Sequence, residues 1–185
     1  MEYRDQILDS DIEQKTSDVD TQQIISLNKF ILLCFASFGI YELWWIYKAW
    51  RFYKQKEKSD IYPAARAIFS IFFLYSLMKK ILADAQAKSY SGSYASGSLF
   101  CGFILLNLMG RAPDPLWLIS IFSFACLIPT FNALNYLKQN SADIIAVEQD
   151  SFNTRQIVLL VVGIIFWGLI IYGIFMPEGS GLITN

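Results

Sequence analysis

Apolar residues in this chain gather in long uncharged runs, and charged residues gather in short clusters between them. Phe30 to Tyr47 is eighteen residues whose only charge is Glu42, long enough as a helix to cross a hydrocarbon core of ~30 Å with little tilt. Pro63 to Ala83 reads as a second helix with proline in its first turn, where a missing backbone N–H does no harm. Its uncharged part, between Arg66 and Lys79, is only about 18 Å of helix, so Arg66 must snorkel or pair if this segment spans. Leu99 to Met109 is a third apolar run, and Leu116 to Leu137 is a fourth, with a kink expected at Pro129. The tight, proline-bearing turn Arg111 to Pro115 makes these two a helical hairpin. Ile157 to Met176 is the clearest span: twenty residues without a charge, ended by Pro177 to Gly181. The pattern predicts an all-α, multi-pass helical membrane protein of about five apolar segments. Residues 1–28 form an acidic polar tail, 29–176 the membrane helical domain, and 177–185 a short C-terminal tail.

The connecting stretches qualify this layout. Met1 to Asn28 carries seven acidic side chains against Arg4 and Lys15, without the basic start, apolar stretch and small-residue cleavage site of a secretory signal. It reads as a solvated arm or as a short amphipathic helix using Ile7, Leu8 and Ile12. Gly39 interrupts the first segment, and beyond it Tyr41, Trp44, Trp45, Tyr47, Trp50, Phe52 and Tyr53 interleave with Lys48, Arg51 and Lys54. That mixture suits the headgroup level, so the span either continues into a surface helix or dips and returns near Gly39. Five alternating spans would leave the basic residues evenly divided. The re-entrant version instead places ten of the fifteen on one side, which the positive-inside rule assigns to the cytoplasm. Ser89 to Ser98 is a flexible linker, or else a helix whose Ser89, Ser93, Gly97 and Cys101 stripe admits a close neighbour; its composition favours the linker.

Composition narrows the chemistry. The chain is 55% hydrophobic and 17% charged with net charge -1, which suits lipid and offers no attraction to nucleic acid. It has no histidine, so the commonest general base and metal ligand is absent. Cys34, Cys101 and Cys126 lie in three different apolar runs and read as reduced packing residues. No nucleophile elbow, P-loop, zinc motif or paired-carboxylate spacing occurs. The expectation is a non-enzymatic protein without cofactor or metal.

The stretches Phe38-Gly39-Ile40-Tyr41-Glu42-Leu43-Trp44-Trp45-Ile46-Tyr47-Lys48, Tyr62 to Ser70, Tyr75-Ser76-Leu77, Pro113 to Ser120 and Gly163 to Phe175 resemble a family of small, multi-pass bacterial inner-membrane proteins of unknown function. The resemblance covers most of Lys29 to Met176, excludes the acidic tail, implies a bacterial inner membrane and transfers no activity.

A few polar residues inside or beside the apolar runs are candidates for function. Glu42 has no basic residue three or four positions away, and counting at helical rise from the shared loop puts Glu42 and Arg66 at similar depths, ~9 Å inward. An interhelical Glu42–Arg66 pair would fix packing, or Glu42 would serve as a proton or ion site. Lys48, Arg51, Lys54, Lys56 and Lys58 are candidate contacts for anionic lipid headgroups, though charges flanking a span also set topology alone. Asn107, Asn132 and Asn135 are candidates for hydrogen bonds between helices. These features predict a structural or accessory subunit of a membrane assembly, with membrane lipids and either a protein partner or a second copy of the chain as its contacts. The alternative is a small channel or carrier using Glu42.

Overall fold

The computed structural model describes residues 20–141 and 144–175. Both readings of the acidic tail before Asp20, and the C-terminal tail from Met176, lie outside the described residues. Within them, a strand β1 (Asp20–Ile24) precedes helices α1 (Leu27–Ala36), α2 (Ile40–Lys56), α3 (Pro63–Ile68), α4 (Ser70–Ala87) and α5 (Ser96–Leu108). A short turn of 3-10 helix (Met109–Arg111), a longer 3-10 helix (Leu116–Leu127), α6 (Ile128–Gln139), strand β2 (Ile144–Glu148) and α7 (Thr154–Phe175) complete the order. The protein is mostly helical, with one small parallel β1–β2 pair in register from Asp20 opposite Ile144 to Ile24 opposite Glu148.

The first apolar run is two helices rather than one span. Phe38 (φ 51°) and Gly39 (φ 86°) both adopt left-handed backbone, a conformation glycine takes freely and phenylalanine rarely. Gly39 N–H closes on Cys34 O at 3.2 Å, and Ser37 Oγ accepts the Tyr41 N–H at 2.9 Å, so the turn ends α1 and starts α2. The chain then reverses. Phe30 of α1 meets Tyr41 and Trp45 of α2 at ring distances of 6.2 and 5.7 Å, and Gln22 Nε2 reaches Gln55 Oε1 at 2.9 Å near the far end of α2. Both ends of the α1–α2 hairpin therefore lie together, with the Ser37–Gly39 turn as its tip.

The second run also breaks. Pro63 opens α3 as its sequence position indicates, but the helix stops at Phe69 (φ -90°, ψ 38°) and α4 begins one residue later. Lys54 lies over Tyr62 and Arg66 over Trp50, so α3 runs antiparallel to α2. Tyr53 faces Lys80, and Lys56 pairs with Asp84 at 2.8 Å, so α4 runs parallel to α2. The Ser89 to Ser98 stretch is a turn and then irregular chain through Ala95, as the linker reading expects, before α5 starts at Ser96. The expected hairpin of the third and fourth runs forms: a Cβ on Gly102 would stand 3.1 Å from Cys126 Sγ on the returning 3-10 helix. Pro129 marks a change of helix type instead of a simple kink. Lacking an N–H to donate, it sits in the first turn of α6, and the twelve residues before α6 wind as 3-10 helix.

Among the described residues, two helices are long and apolar enough to cross a bilayer, the continuous rod Leu116–Gln139 and Thr154–Gly173. That is fewer than the five expected, because the first run doubles back, the second is cut at Phe69 and α5 is only thirteen residues. The core lies where α1, α2, α4 and α6 meet. There Phe30 stacks on Phe131 at 4.3 Å, and Leu33, Ile46, Tyr53, Leu77, Ile81 and Leu134 are buried around them. α7 stands largely outside this core: 11% of its most apolar window is buried, against 39% for the Leu116–Gln139 rod. It docks on α1 through Gly163, where a Cβ would lie 2.3 Å from Ala36 O, and through Trp167, stacked on Phe35 and Phe38 at 4.8 and 4.9 Å.

Candidate functional site

Glu42 lies in the first turn of α2, just behind the Gly39 turn, and is 2% exposed. The Ser123 hydroxyl, on the 3-10 helix, is 2.8 and 3.0 Å from its two carboxyl oxygens, and the backbone of Phe124 is a further hydrogen-bond partner. Arg66 is elsewhere. Its guanidinium stacks on Trp50 at 4.3 Å and faces Phe73 at 5.4 Å. The expected Glu42–Arg66 pair is thus not formed. The α3 helix carrying Arg66 turns back at Phe69, and a residue 81 positions along the chain supplies the partner of Glu42.

The basic residues after Gly39 separate into three environments. Lys56 is taken by Asp84, and Lys80 by Glu57 at 2.6 Å, two ion pairs that tie α4 to the α2 end. Arg51, Lys54 and Lys58 border a shallow groove shared with Asp60. Lys48 faces the other way, into a separate cavity. Of the three asparagines, Asn107 donates to Phe103 O in its own helix and Asn132 is exposed, and neither has a bond to another helix among the described residues. Asn135 does reach another element, donating to Ile25 O at 3.1 Å between β1 and α1.

The cavity, of about 710 Å³, lies between α2, α6 and the start of α7, beside the connectors that flank the strand pair. Helical spacing explains its walls. Ile40, Trp44 and Lys48 recur every fourth residue along α2, with Tyr41, Trp45 and Ala49 on the adjacent row. Phe131, Leu134, Asn135 and Lys138 form the facing stripe of α6. At the start of α7, the Gln156 side chain accepts the Asn153 N–H at 2.9 Å, half of a capping box, while its amide nitrogen lies 3.3 Å from the Tyr41 hydroxyl. Gln149 Nε2 also reaches Gln156 Oε1 at 2.7 Å. This latch holds Thr154 and Arg155 at the cavity wall.

Among the described residues, the lining contains Lys48, Lys138 and Arg155 and no carboxylate. Burial, together with the like charges of Arg51 and Arg155, holds the Lys48 ammonium below the ordinary lysine range. Lys138 is 6% exposed; its ammonium faces the Phe52 ring at 5.5 Å and forms none of the hydrogen bonds or ion pairs found among the described residues. Sequence reading picked out Lys48 but not Lys138 or Arg155. The Asn153-x-x-Gln156 spacing was the available signal for the latch, whereas nothing local joins cations drawn from three separate helices. No group of three or more potential metal ligands occurs among the described residues. Comparison with family models, characterised proteins and solved structures finds no match to this chain.

Proposed function

We propose that the chain is a non-enzymatic, multi-pass integral membrane protein that serves as a structural or accessory subunit of a membrane assembly. The observation that carries this reading is the apolar surface of α7, where Val158, Ile164, Ile165, Leu169 and Phe175 are exposed along one helix. Water would not tolerate so continuous an apolar surface, and acyl chains would cover it. Counting nine residues from Thr154 to Gly163 at helical rise puts the tip of the α1–α2 hairpin ~14 Å along α7, near mid-bilayer, so the hairpin would be re-entrant. Lys29, Lys48, Lys56, Lys80, Lys138 and Arg155 belong to the end where the strands lie, through contacts with Gln149, the cavity, Asp84 and Glu57. Arg111 lies at the other end, in the turn between α5 and the 3-10 helix. The positive-inside rule would put the strand end in the cytoplasm, and the resemblance noted in the sequence would make the membrane a bacterial inner membrane.

Beyond α7, Ile68, Phe69, Ile71 and Phe72 at the α3–α4 break are exposed as well, a second apolar face suited to a protein partner or a second copy. Native mass spectrometry of the tagged protein, extracted from its own membrane in a mild detergent, tests the proposal. A reproducible heterologous subunit is the expected result. Release of the chain from membranes by alkaline carbonate would overturn the integral-membrane reading, and a homogeneous oligomer without partner would overturn the accessory role.

A further inference from the structure

The cavity at the strand end combines an unusual charge balance with a particular shape. Three cations from three helices, Lys48, Lys138 and Arg155, border it without a carboxylate among the described lining residues. Lys138 is the telling member: the residue is 6% exposed, its stem lies in the core, and among the described residues its ammonium has no ionic partner, an arrangement that an anion entering the cavity would stabilise. The start of α7 adds a second attraction, because the positive end of a 22-residue helix dipole lies at the wall beside Thr154 and Arg155. Beside Lys48 on α2, whose ammonium lies 5.9 Å from the Trp44 ring, Trp44 and Trp45 give the cavity an aromatic side. Tryptophan beside lysine and arginine is the composition of a headgroup-level site, where a charged group and an acyl chain meet.

We propose that this cavity binds the phosphate group of an anionic amphiphile, for which a membrane phospholipid is the direct source. The site is distinct from the loop bases Lys54 and Lys58, which border an open groove with Asp60. It does not depend on an accessory role, and it would hold for a protein acting alone. The headgroup would lie between Lys48 and Arg155 with Lys138 beneath it, and the chain would leave past Trp44 along the exposed Ile40.

The test uses the full chain in detergent micelles, titrated with dioctanoyl phosphatidylglycerol and, separately, with dioctanoyl phosphatidylcholine and inorganic phosphate, with binding read by calorimetry. The expected result is stoichiometric binding of the anionic lipid, weakened about tenfold by each of Lys48→Gln and Arg155→Gln. The double variant Lys54→Gln, Lys58→Gln, which removes as much charge from the loop, should bind as the unaltered protein does. Lys138→Met, which keeps length without charge, should lose binding; if it does not fold, by near-ultraviolet circular dichroism, the two rim variants decide. Unchanged binding in both rim variants, an equal loss in the loop variant, or equal affinity for phosphatidylcholine would overturn the proposal. Inorganic phosphate binding as tightly as the lipid would assign the site to free phosphate and remove the amphiphile.

Discussion

Gly163→Ala adds one methyl group at the place where α7 leans on the hairpin tip, and its effect can be worked out from the geometry. The new Cβ would stand 2.3 Å from the Ala36 carbonyl oxygen and 2.9 Å from its carbon. Both are backbone atoms, so no rotamer change relieves the clash, and the helices must separate by roughly 1 Å to recover ordinary contact. A gap of that size takes a quarter to a half of the attraction from each neighbouring contact, including the Trp167 stacks on Phe35 and Phe38. Overpacking of this kind costs about 1–3 kcal/mol, while exchanging glycine for alanine within a helix returns up to about 1 kcal/mol. Gly168 lies on the same helix with nothing within 4 Å of its virtual Cβ, so Gly168→Ala isolates the helix-forming gain. Reversible unfolding in mixed dodecyl maltoside and dodecyl sulfate micelles, followed by tryptophan fluorescence, should place Gly163→Ala about 1–3 kcal/mol below Gly168→Ala. Coincident midpoints for the two variants would refute the docking of α7 on α1 through this glycine.

Phe131→Ala should be among the most damaging substitutions, about 3–5 kcal/mol by the same assay, because the ring is buried and stacked 4.3 Å from Phe30; a loss under 1 kcal/mol would contradict this core. Glu42→Ala leaves the buried Ser123 hydroxyl without its acceptor and should cost about 1–3 kcal/mol, while the double variant Glu42→Ala, Ser123→Ala should recover part of the loss. A double-mutant cycle with no coupling would argue against the pair. Lys56→Ala removes an ion pair about a third exposed on the Lys56 side and should change stability by less than about 1 kcal/mol; a larger effect would mean that the end of α2 is held more by charge than by packing.

Much of the helical layout was legible in the sequence because each apolar run had its own punctuation. Pro63 opened a helix, the Ser89 to Ala95 composition formed a linker, and the Arg111 to Pro115 turn folded the third run against the fourth. Depth in the membrane was less legible than helix. Gly39 was visible as an interruption, yet whether the chain continued or reversed depended on Phe30 meeting Trp45, a tertiary contact. The break at Phe69 carried no proline or glycine to announce it. The strands were missed because five-residue segments such as Asp20-Thr21-Gln22-Gln23-Ile24 lack a hydrophobic alternation long enough to detect, and each is completed only by a partner far along the chain. Glu42 was marked as needing a partner. The partner was a hydroxyl rather than a base, so charge pairing alone could not locate it.

The strand pair also sets an order of assembly. Asp20 pairs with Ile144, 124 positions later, and closing a loop of that length costs on the order of 4 kcal/mol in chain entropy. Five ladder positions formed alone would scarcely offset it. A chain emerging from the ribosome must therefore hold β1 unpaired while five helices and the Leu116–Gln139 rod are made. Pairing then comes late, once the hairpin and the rod have already brought the two strands to the same end. It works as a clasp between the first and last parts of the described fold, and a ribosome stalled before residue 144 would leave β1 open to protease.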